Sequence, residues 1–427
     1  MKTSKYLLGI RLQQSNRFTF PVILNQLENS GLDRNFQCYF IENFKDLHQF
    51  VKANPEGLLL YSFMTPHLPK IEKETKWIKK NAKNRKFKLV SGGPHTNGNP
   101  LSSLQLGFDY AFCGAAETGI VDFFQRYTNH KMPEVPTVFY SPEIENLNDS
   151  LPISKILPIS PPLEISRGCY WKCKYCQIAC LKCLHRSMES IKIYYQELYK
   201  RNHHQRLNFI CPSAFEFGAK TAKTLNYQAV KELLIYCKSK GTSYLEYGIF
   251  PSETRPNTFS EEFVELVYDY CSNRKIAIGG QTGSDGLLKK IRRGHTTEQI
   301  ESACELVHRK KLYPMVDFIF GFPGETNYDR YITLKFIKKL SVKYHARIQL
   351  HHFIPLAGTI LSESNPSTLD YKSLDTIQKY EKDGICTGWW KEGRMLAQQL
   401  VEIRDKLRGE EITYQKDYSL TLPHNIS

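Results

Sequence analysis

The densest chemistry in the chain is Arg167-Gly168-Cys169-Tyr170-Trp171-Lys172-Cys173-Lys174-Tyr175-Cys176, three cysteines at C-x3-C-x2-C spacing. Three thiolates on one short loop suit three irons of a [4Fe–4S] cubane, because tight spacing lets the loop wrap one face of the cluster. The fourth iron then has no protein ligand, and an open metal position is where a substrate binds. A structural zinc loop is the bland alternative, with Cys180 or Cys183 as the fourth ligand, but it explains none of the motifs downstream. Cys180 and Cys183 themselves read as ordinary loop cysteines, as ligands of a second cluster or as substrate-facing thiols. Five of the twelve cysteines lie between Cys169 and Cys183. The other seven sit mostly among apolar neighbours and read as small buried hydrophobes, not as a disulfide framework.

Further candidates follow strand-like runs. Phe250-Pro251-Ser252-Glu253-Thr254-Arg255-Pro256 offers a carboxylate and a guanidinium that could pair with the charged ends of an amino acid. Ile278-Gly279-Gly280-Gln281-Thr282-Gly283-Ser284-Asp285, Arg292-Arg293-Gly294-His295-Thr296 and Phe318-Ile319-Phe320-Gly321-Phe322-Pro323-Gly324-Glu325-Thr326 complete the set. Asp317 could be a buried structural carboxylate, and adjacent His351 and His352 on one strand would point to opposite faces. Together with the cysteine spacing, these segments resemble the radical S-adenosylmethionine (SAM) superfamily. Within it they resemble the subfamily that joins a cobalamin-binding-like domain to a radical SAM domain, and more loosely the methylthiotransferases.

That resemblance implies cofactors and roles. Cys169, Cys173 and Cys176 would hold the cluster, whose open iron chelates SAM. Reduction would then cleave SAM to methionine and a 5′-deoxyadenosyl radical. Tyr175 would lie against the adenine; Gln281, Ser284 and Arg293, with Glu253, would meet the carboxylate, ribose or charged ends of SAM; Phe320 and Gly321 would contact the adenine through their backbone. No side chain is singled out as catalytic. An electron donor such as ferredoxin or flavodoxin is implied as a partner.

These residues need strand ends to position them. From the start to about Tyr127, strand-like runs (Tyr6–Leu12, Phe36–Ile41, Gly57–Phe63, Phe87–Val90, Tyr110–Phe112) alternate with amphipathic stretches around Phe20–Asn29, Phe44–Lys52 and Ile71–Asn84, the rhythm of parallel βαβ units. Asn129–Pro161, rich in Pro, Asn and Ser, reads as a linker. A second βα series follows, with strands expected at Leu163–Ile165, Leu207–Cys211, Tyr244–Phe250, Lys275–Ile278, Met315–Phe320 and Arg347–His352. Six βα units suggest a partial barrel whose active site lies at the carboxyl ends of the strands. The expected organisation is α/β: a Rossmann-like, cobalamin-binding-like domain over 1–130, a linker over 131–160, a partial TIM-type (β/α)6 barrel over 161–367 and a helical C-terminal extension over 368–427, loose after Arg408.

In the first domain Ser91-Gly92-Gly93-Pro94-His95 and Gly114-Ala115-Ala116-Glu117-Thr118 stand at strand ends, where ligands of open α/β sheets bind. They resemble the cobalamin-binding half of the same subfamily, which implies cobalamin near Gly92, Gly93, Gly114 and Glu117. The family's loop usually reads Gly-x-Gly-Glu, so Ala116 crowds one approach. The chain has no Asp-x-His-x-x-Gly, so no histidine from that motif would reach cobalt. With cobalamin the implied reaction is radical methylation of an unactivated carbon. The rival readings are methylthio transfer to RNA or protein and a SAM- or corrinoid-binding protein without turnover. Methylthiotransferases carry a second cluster on three cysteines in the N-terminal domain, where this chain has only Cys38 and Cys113.

The 427 residues, 41% hydrophobic and 24% charged, can bury a sizeable core. No apolar run approaches the length needed to span a bilayer. Met1–Phe18 lacks the apolar region of a signal peptide and reads as a buried strand, so a cytoplasmic protein is expected. The net charge of +15 comes from mixed stretches such as Lys70–Lys88 and reads as solvated helix faces. It singles out neither nucleic acid nor any particular substrate.

Overall fold

The computed structural model describes residues 5–82, 86–203 and 206–421. The expected helix over 71–84 therefore ends in two residues outside the described ones, as do the first four residues of the expected first strand's leader.

The N-terminal unit is a parallel sheet of β1 (Tyr6–Arg11), β2 (Phe36–Ile41), β3 (Glu56–Ser62), β4 (Lys86–Gly92), β5 (Tyr110–Cys113) and β6 (Thr137–Tyr140), joined by a late strand, Gln415–Asp417. The spatial order is Gln415–Asp417, β6, β5, β4, β3, β1, β2. The strands are nearly continuous apolar runs because helices cover both faces. On one face Leu8, Ile10, Leu58 and Leu60 pack with Phe20, Leu24, Phe123 and Phe124 of helices Phe20–Asn29 and Ala116–Thr128. On the other, Leu59 and Tyr61 pack with Leu47, Phe50, Ile71 and Ile78 of helices Phe44–Ala53 and Leu68–Asn81. After β1 the chain builds β2 on one side and then crosses to β3 on the other. This reversal leaves a crevice at the carboxyl ends of β1 and β3.

Two expectations change here. The 131–160 stretch is not all linker: Thr137–Tyr140 pairs with β5, and its Val138 and Phe139 are fully buried. The tail beyond Arg408 is not loose: Gln415–Asp417 pairs with β6, and Leu420 is buried. Helix Trp390–Arg408 also docks on the N-terminal unit through Leu400, Ile403 and Leu407. Both strands are short, so neither shows a resolvable period in the sequence; pairing with the sheet creates them.

The second unit is an open, partial barrel. Leu163–Glu164 pairs with Phe209–Ile210, and Arg206–Leu207 pairs with Tyr244–Leu245. Lys275–Gln281, Tyr313–Phe320, Arg347–His352 and Cys386–Gly388 form a continuous parallel sheet. The last of these adds a strand to the six expected, while Tyr244–Phe250 is laddered only at its first two residues. Val316, Phe318 and Phe320 face the helices, whereas half-buried Met315, Asp317 and Ile319 alternate with them and face the barrel interior. Among the described residues no helix is long and apolar enough to cross a membrane.

Candidate active site

The cysteine loop leaves the first barrel strand through Gly168. Its φ is +76°, and a Cβ built there would lie 2.0 Å from the Lys182 carbonyl oxygen. Only glycine fits, because the returning segment Leu184–His185 pairs antiparallel with Ser166–Arg167 and closes over the loop. Within the loop, Cys176 N–H donates to Cys173 O at 3.3 Å and Trp171 N–H points at Cys169 Sγ at 3.5 Å. Lys174 N–H donates to Ile291 O, and Leu361 N–H donates to Lys174 O. These bonds tie the loop to the end of helix Asp285–Lys290 and to the turn that follows strand Arg347–His352.

Cys173 is the buried member of the three. Arg293 Nη1 and Arg255 Nη1 approach its Sγ at 3.6 and 3.8 Å. Burial pushes this thiol up, but the two guanidinium groups outweigh it and hold Cys173 below the usual thiol range. Cys169 and Cys176 are pushed up by burial instead. Arg255 is itself lowered to about 10 by burial and then by Arg293. Its guanidinium lies 4.1 Å over the ring of Trp171, whose indole N–H donates to Glu216 Oε1 at 2.7 Å. A Cβ on Gly294 would strike the same ring at 2.3 Å. Trp171 is thus fixed between Gly294 and Arg255. Arg255 also donates to the Arg293 carbonyl, and Arg293 Nη2 donates to Gly279 O at 2.9 Å. Neither Nε finds a partner among the described residues.

Two neighbouring guanidinium groups, one buried and one half-buried, with no hydrogen-bonded carboxylate are costly unless an anion joins them. Three thiolates around iron, with the carboxylate of a bound amino acid, supply that negative charge. The residues present fit a cluster. Among the described residues no three His, Cys, Asp or Glu side chains are gathered to grip a single metal ion.

Tyr175 packs edge-on to Phe322 at 5.2 Å, beside Ile319 and Leu361. Gln281 ends its strand at φ +72°, an uncommon conformation for a residue with a side chain, next to Gly279 and the Arg293 guanidinium. Glu253 faces the interior, where burial and then Asp317 push its carboxyl up to about 7. Asp317 Oδ1 lies 3.3 Å from His351 Nε2. His352 points the other way, buried against Gly321, and burial lowers it to about 4.

Other expected contacts are already engaged within the protein. Ser284 caps helix Asp285–Lys290, accepting from Leu287 N–H, and donates to Asp329 Oδ1 at 2.5 Å. Gly321 N–H donates to Glu325 Oε2 at 2.7 Å, Gly321 O accepts from Ser367, and Phe320 O accepts from Phe353. The Phe320 side chain lies in the core. These three residues shape the site from behind.

At the N-terminal unit's strand ends lies a cavity of about 330 Å³, lined by Phe20, Leu60, Gly92 and Phe112 and, from the barrel, Arg167 and Ile210. Gly93, Gly114 and Glu117 complete its N-terminal rim. A Cβ on Gly92 would meet nothing nearer than 3.7 Å, so its bareness leaves open space. Gly93 and Gly114 are glycines for packing: added Cβ atoms would meet Ser62 Oγ and the Ser141 carbonyl oxygen, each at 2.6 Å. Glu117 is ion-paired across the boundary with Arg167 at 2.8 Å, and Arg167 also pairs with Glu164. Cys180, exposed, approaches Gly358 O, while Cys183 Sγ lies 3.8 Å from His185 Nε2.

Residues 163–337, which contain the cysteine loop, Arg255 and Arg293, match the radical SAM superfamily. This segment is a radical SAM domain. An uncharacterized protein of Methanocaldococcus jannaschii is 27% identical over 149 residues, covering 35% of this chain and 29% of that protein. Ribosomal protein uS12 methylthiotransferase RimO of Hydrogenobaculum sp. is 27% identical over 263 residues, 58% of each chain. The chain thus spans less than a third of the first relative and under three-fifths of the second. The radical SAM methyltransferase TsrM of Kitasatospora setae superposes with a TM-score of 0.57 at 14% identity, over 84% of this chain and 76% of that one. The cobalamin-dependent SAM radical enzyme OxsB superposes with a TM-score of 0.54 at 13% identity, over 89% and 56%. The fold of a radical SAM domain behind an N-terminal parallel α/β sheet is therefore shared, and the family's cofactors are a [4Fe–4S] cluster and SAM.

Sequence reading missed the pairing of Arg255 with Arg293 at Cys173, the clamp on Trp171 and the Asp317–His351 pair.

Proposed function

We propose that this protein is a radical SAM enzyme that methylates an unactivated carbon with the help of cobalamin. The observation that carries the reading is the convergence of Arg255 and Arg293, neither hydrogen-bonded to a carboxylate, on Cys173. Cys169, Cys173 and Cys176 would hold the cluster, which with SAM supplies the 5′-deoxyadenosyl radical. Arg293 and Glu253 offer opposite charges to the carboxylate and amino ends of SAM. Tyr175 and Phe322 offer apolar surface to its adenine.

The 330 Å³ cavity is apolar and lies at the low end of ligand-pocket volumes. It fits a flat aromatic base such as the benzimidazole of cobalamin, with the bare Gly92 leaving room on one side. Cobalamin there would supply a methyl carrier, and TsrM and OxsB, which share the fold, are described with cobalamin bound. The protein's part is to hold the groups in line and exclude water. His351, oriented by Asp317, is placed to accept a proton from a substrate in the interior.

Methylthio transfer is the second reading, supported by the similarity to RimO over 58% of the chain. It ranks lower because the N-terminal unit has two cysteines, Cys38 and Cys113, where a second cluster needs three. The test is anaerobic reconstitution with iron, sulfide and hydroxocobalamin, then SAM and reductant, read by mass spectrometry. 5′-Deoxyadenosine with S-adenosylhomocysteine and retained corrin absorbance support methylation. 5′-Deoxyadenosine without corrin removes cobalamin, and absence of 5′-deoxyadenosine leaves a binding protein without turnover.

A further inference from the structure

The charge is unevenly placed around the cysteine loop. From Ile165 to Met188 the chain has no acidic residue, and it carries Arg167, Lys172, Lys174, Lys182 and Arg186. Three of the segments that touch this loop are also free of acids. Residues 217–231 meet it where Tyr170 OH donates to Ala219 O at 2.5 Å and where the His185 and Phe217 rings pack at 5.9 Å. Residues 286–297 meet it at Gly294 against Trp171 and through the Lys174–Ile291 hydrogen bond. Residues 347–362 meet it through Leu361 and through Ala357 O, which accepts from Gln177 Nε2 at 2.8 Å. The carboxylates that meet the loop, Glu117, Glu164 and Glu216, are already occupied, the first two by Arg167 and the third by Trp171.

Lys172, Lys182, Lys220, Lys223 and Arg292 are exposed on the loop and on the segments that meet it. Among them stand exposed aliphatic side chains: Ile178 and Leu181 on the loop itself, Leu225 and Ile360 on its flanks. Apolar side chains ringed by cations of one sign form the pattern of a protein-binding face with an acidic partner, not of a solvated surface. Single-stranded nucleic acid would call for exposed aromatic rings on which bases stack. The loop's own rings are committed: Trp171 to Arg255 and Gly294, Tyr170 to Ala219 and His185.

We infer that this outer face of the cysteine loop is the docking surface for an acidic one-electron donor protein. The inference rests on the reading that the three cysteines hold a redox cluster. Docking here brings the donor against the loop that wraps the cluster, so the electron need not cross the barrel. The lysine ring steers encounter, which makes the rate high and salt-dependent.

The test uses anaerobically reconstituted full-length protein and reduced flavodoxin, an acidic flavoprotein, with cluster bleaching followed by stopped flow. Lys182→Glu/Lys220→Glu/Lys223→Glu should lower the flavodoxin rate at least ~10-fold at low salt, and the wild-type rate should fall as salt rises. Iron content and bleaching by dithionite should be unchanged. Should the triple variant lose cluster, the milder Lys→Gln changes at the same positions are measured, with a smaller loss expected. An unchanged flavodoxin rate, or one indifferent to salt, overturns the surface. So does loss of binding to a bulk tRNA probe with flavodoxin reduction intact, which would make it a nucleic-acid face. Wild-type protein that holds no iron and shows no bleaching by dithionite overturns the cluster reading itself, and the surface with it.

Discussion

The N-terminal sheet and the barrel's cysteine site treat buried charge in opposite ways. In the N-terminal unit each deep charge is matched. Arg11 and Glu74, 0% and 2% exposed, form a two-point ion pair at 2.9 and 2.7 Å, and Arg11 also donates to Ile41 O. In the barrel, buried Arg255 and half-buried Arg293 face a sulfur and backbone carbonyls. A matched pair serves the fold, since breaking it strands a charge. An unmatched pair of like charges costs the fold, and its persistence points to a ligand that completes it. The comparison separates what holds this molecule together from what it does.

The strongest way to break the contrast is at the loop. Cys173→Ala should remove most of the iron from reconstituted protein and abolish 5′-deoxyadenosine, while thermal unfolding of the metal-free protein changes little; intact iron would refute the assignment. Next is Glu74→Ala, which strands Arg11 and should cost about 3–5 kcal/mol in urea unfolding. Iron per folded chain should stay as in wild type, because the pair belongs to the fold alone.

Glu253 sharpens the contrast through pH. Its carboxyl rises from 4.5 to about 7 in the folded state, so the native protein holds a proton that the unfolded chain has lost between those values. Stability of the metal-free protein should therefore fall as pH rises from about 4.5 to about 7 and level off above. At about 1.4 kcal/mol per pKa unit the fall is at most about 3 kcal/mol. Glu253→Gln should flatten that slope; a slope unchanged by the substitution would place the carboxyl in water.

Arg255→Met is the converse of Glu74→Ala. It should leave folding nearly neutral but lower the cluster's midpoint potential in an EPR-monitored titration. The expected shift is on the order of 60 mV, the one-electron equivalent of about 1.4 kcal/mol for a lost charge-assisted hydrogen bond. The smallest effect is expected at Ser284, where Ser284→Ala removes a helix cap worth about 1 kcal/mol. A much larger loss of SAM affinity than of stability there would show that Ser284 touches the ligand after all.

The sequence by itself determined the alternation of strands and helices, since a run such as Leu58–Ser62 is apolar on both faces and helices such as Thr297–Arg309 carry a capping box and a clean stripe. It also determined the cysteine loop, because ligand spacing within one loop is a local property. Tertiary structure alone decided whatever depends on distant segments meeting. Thr137–Tyr140 and Gln415–Asp417 became strands only by pairing with a sheet already built. Ser284 and Gly321 became supports because Asp329, Glu325 and Ser367 arrive to take their hydrogen bonds. Arg255 and Arg293, 38 residues apart, met at one sulfur. Local periodicity encodes which face of an element is apolar; it carries no information about which other element that face will find.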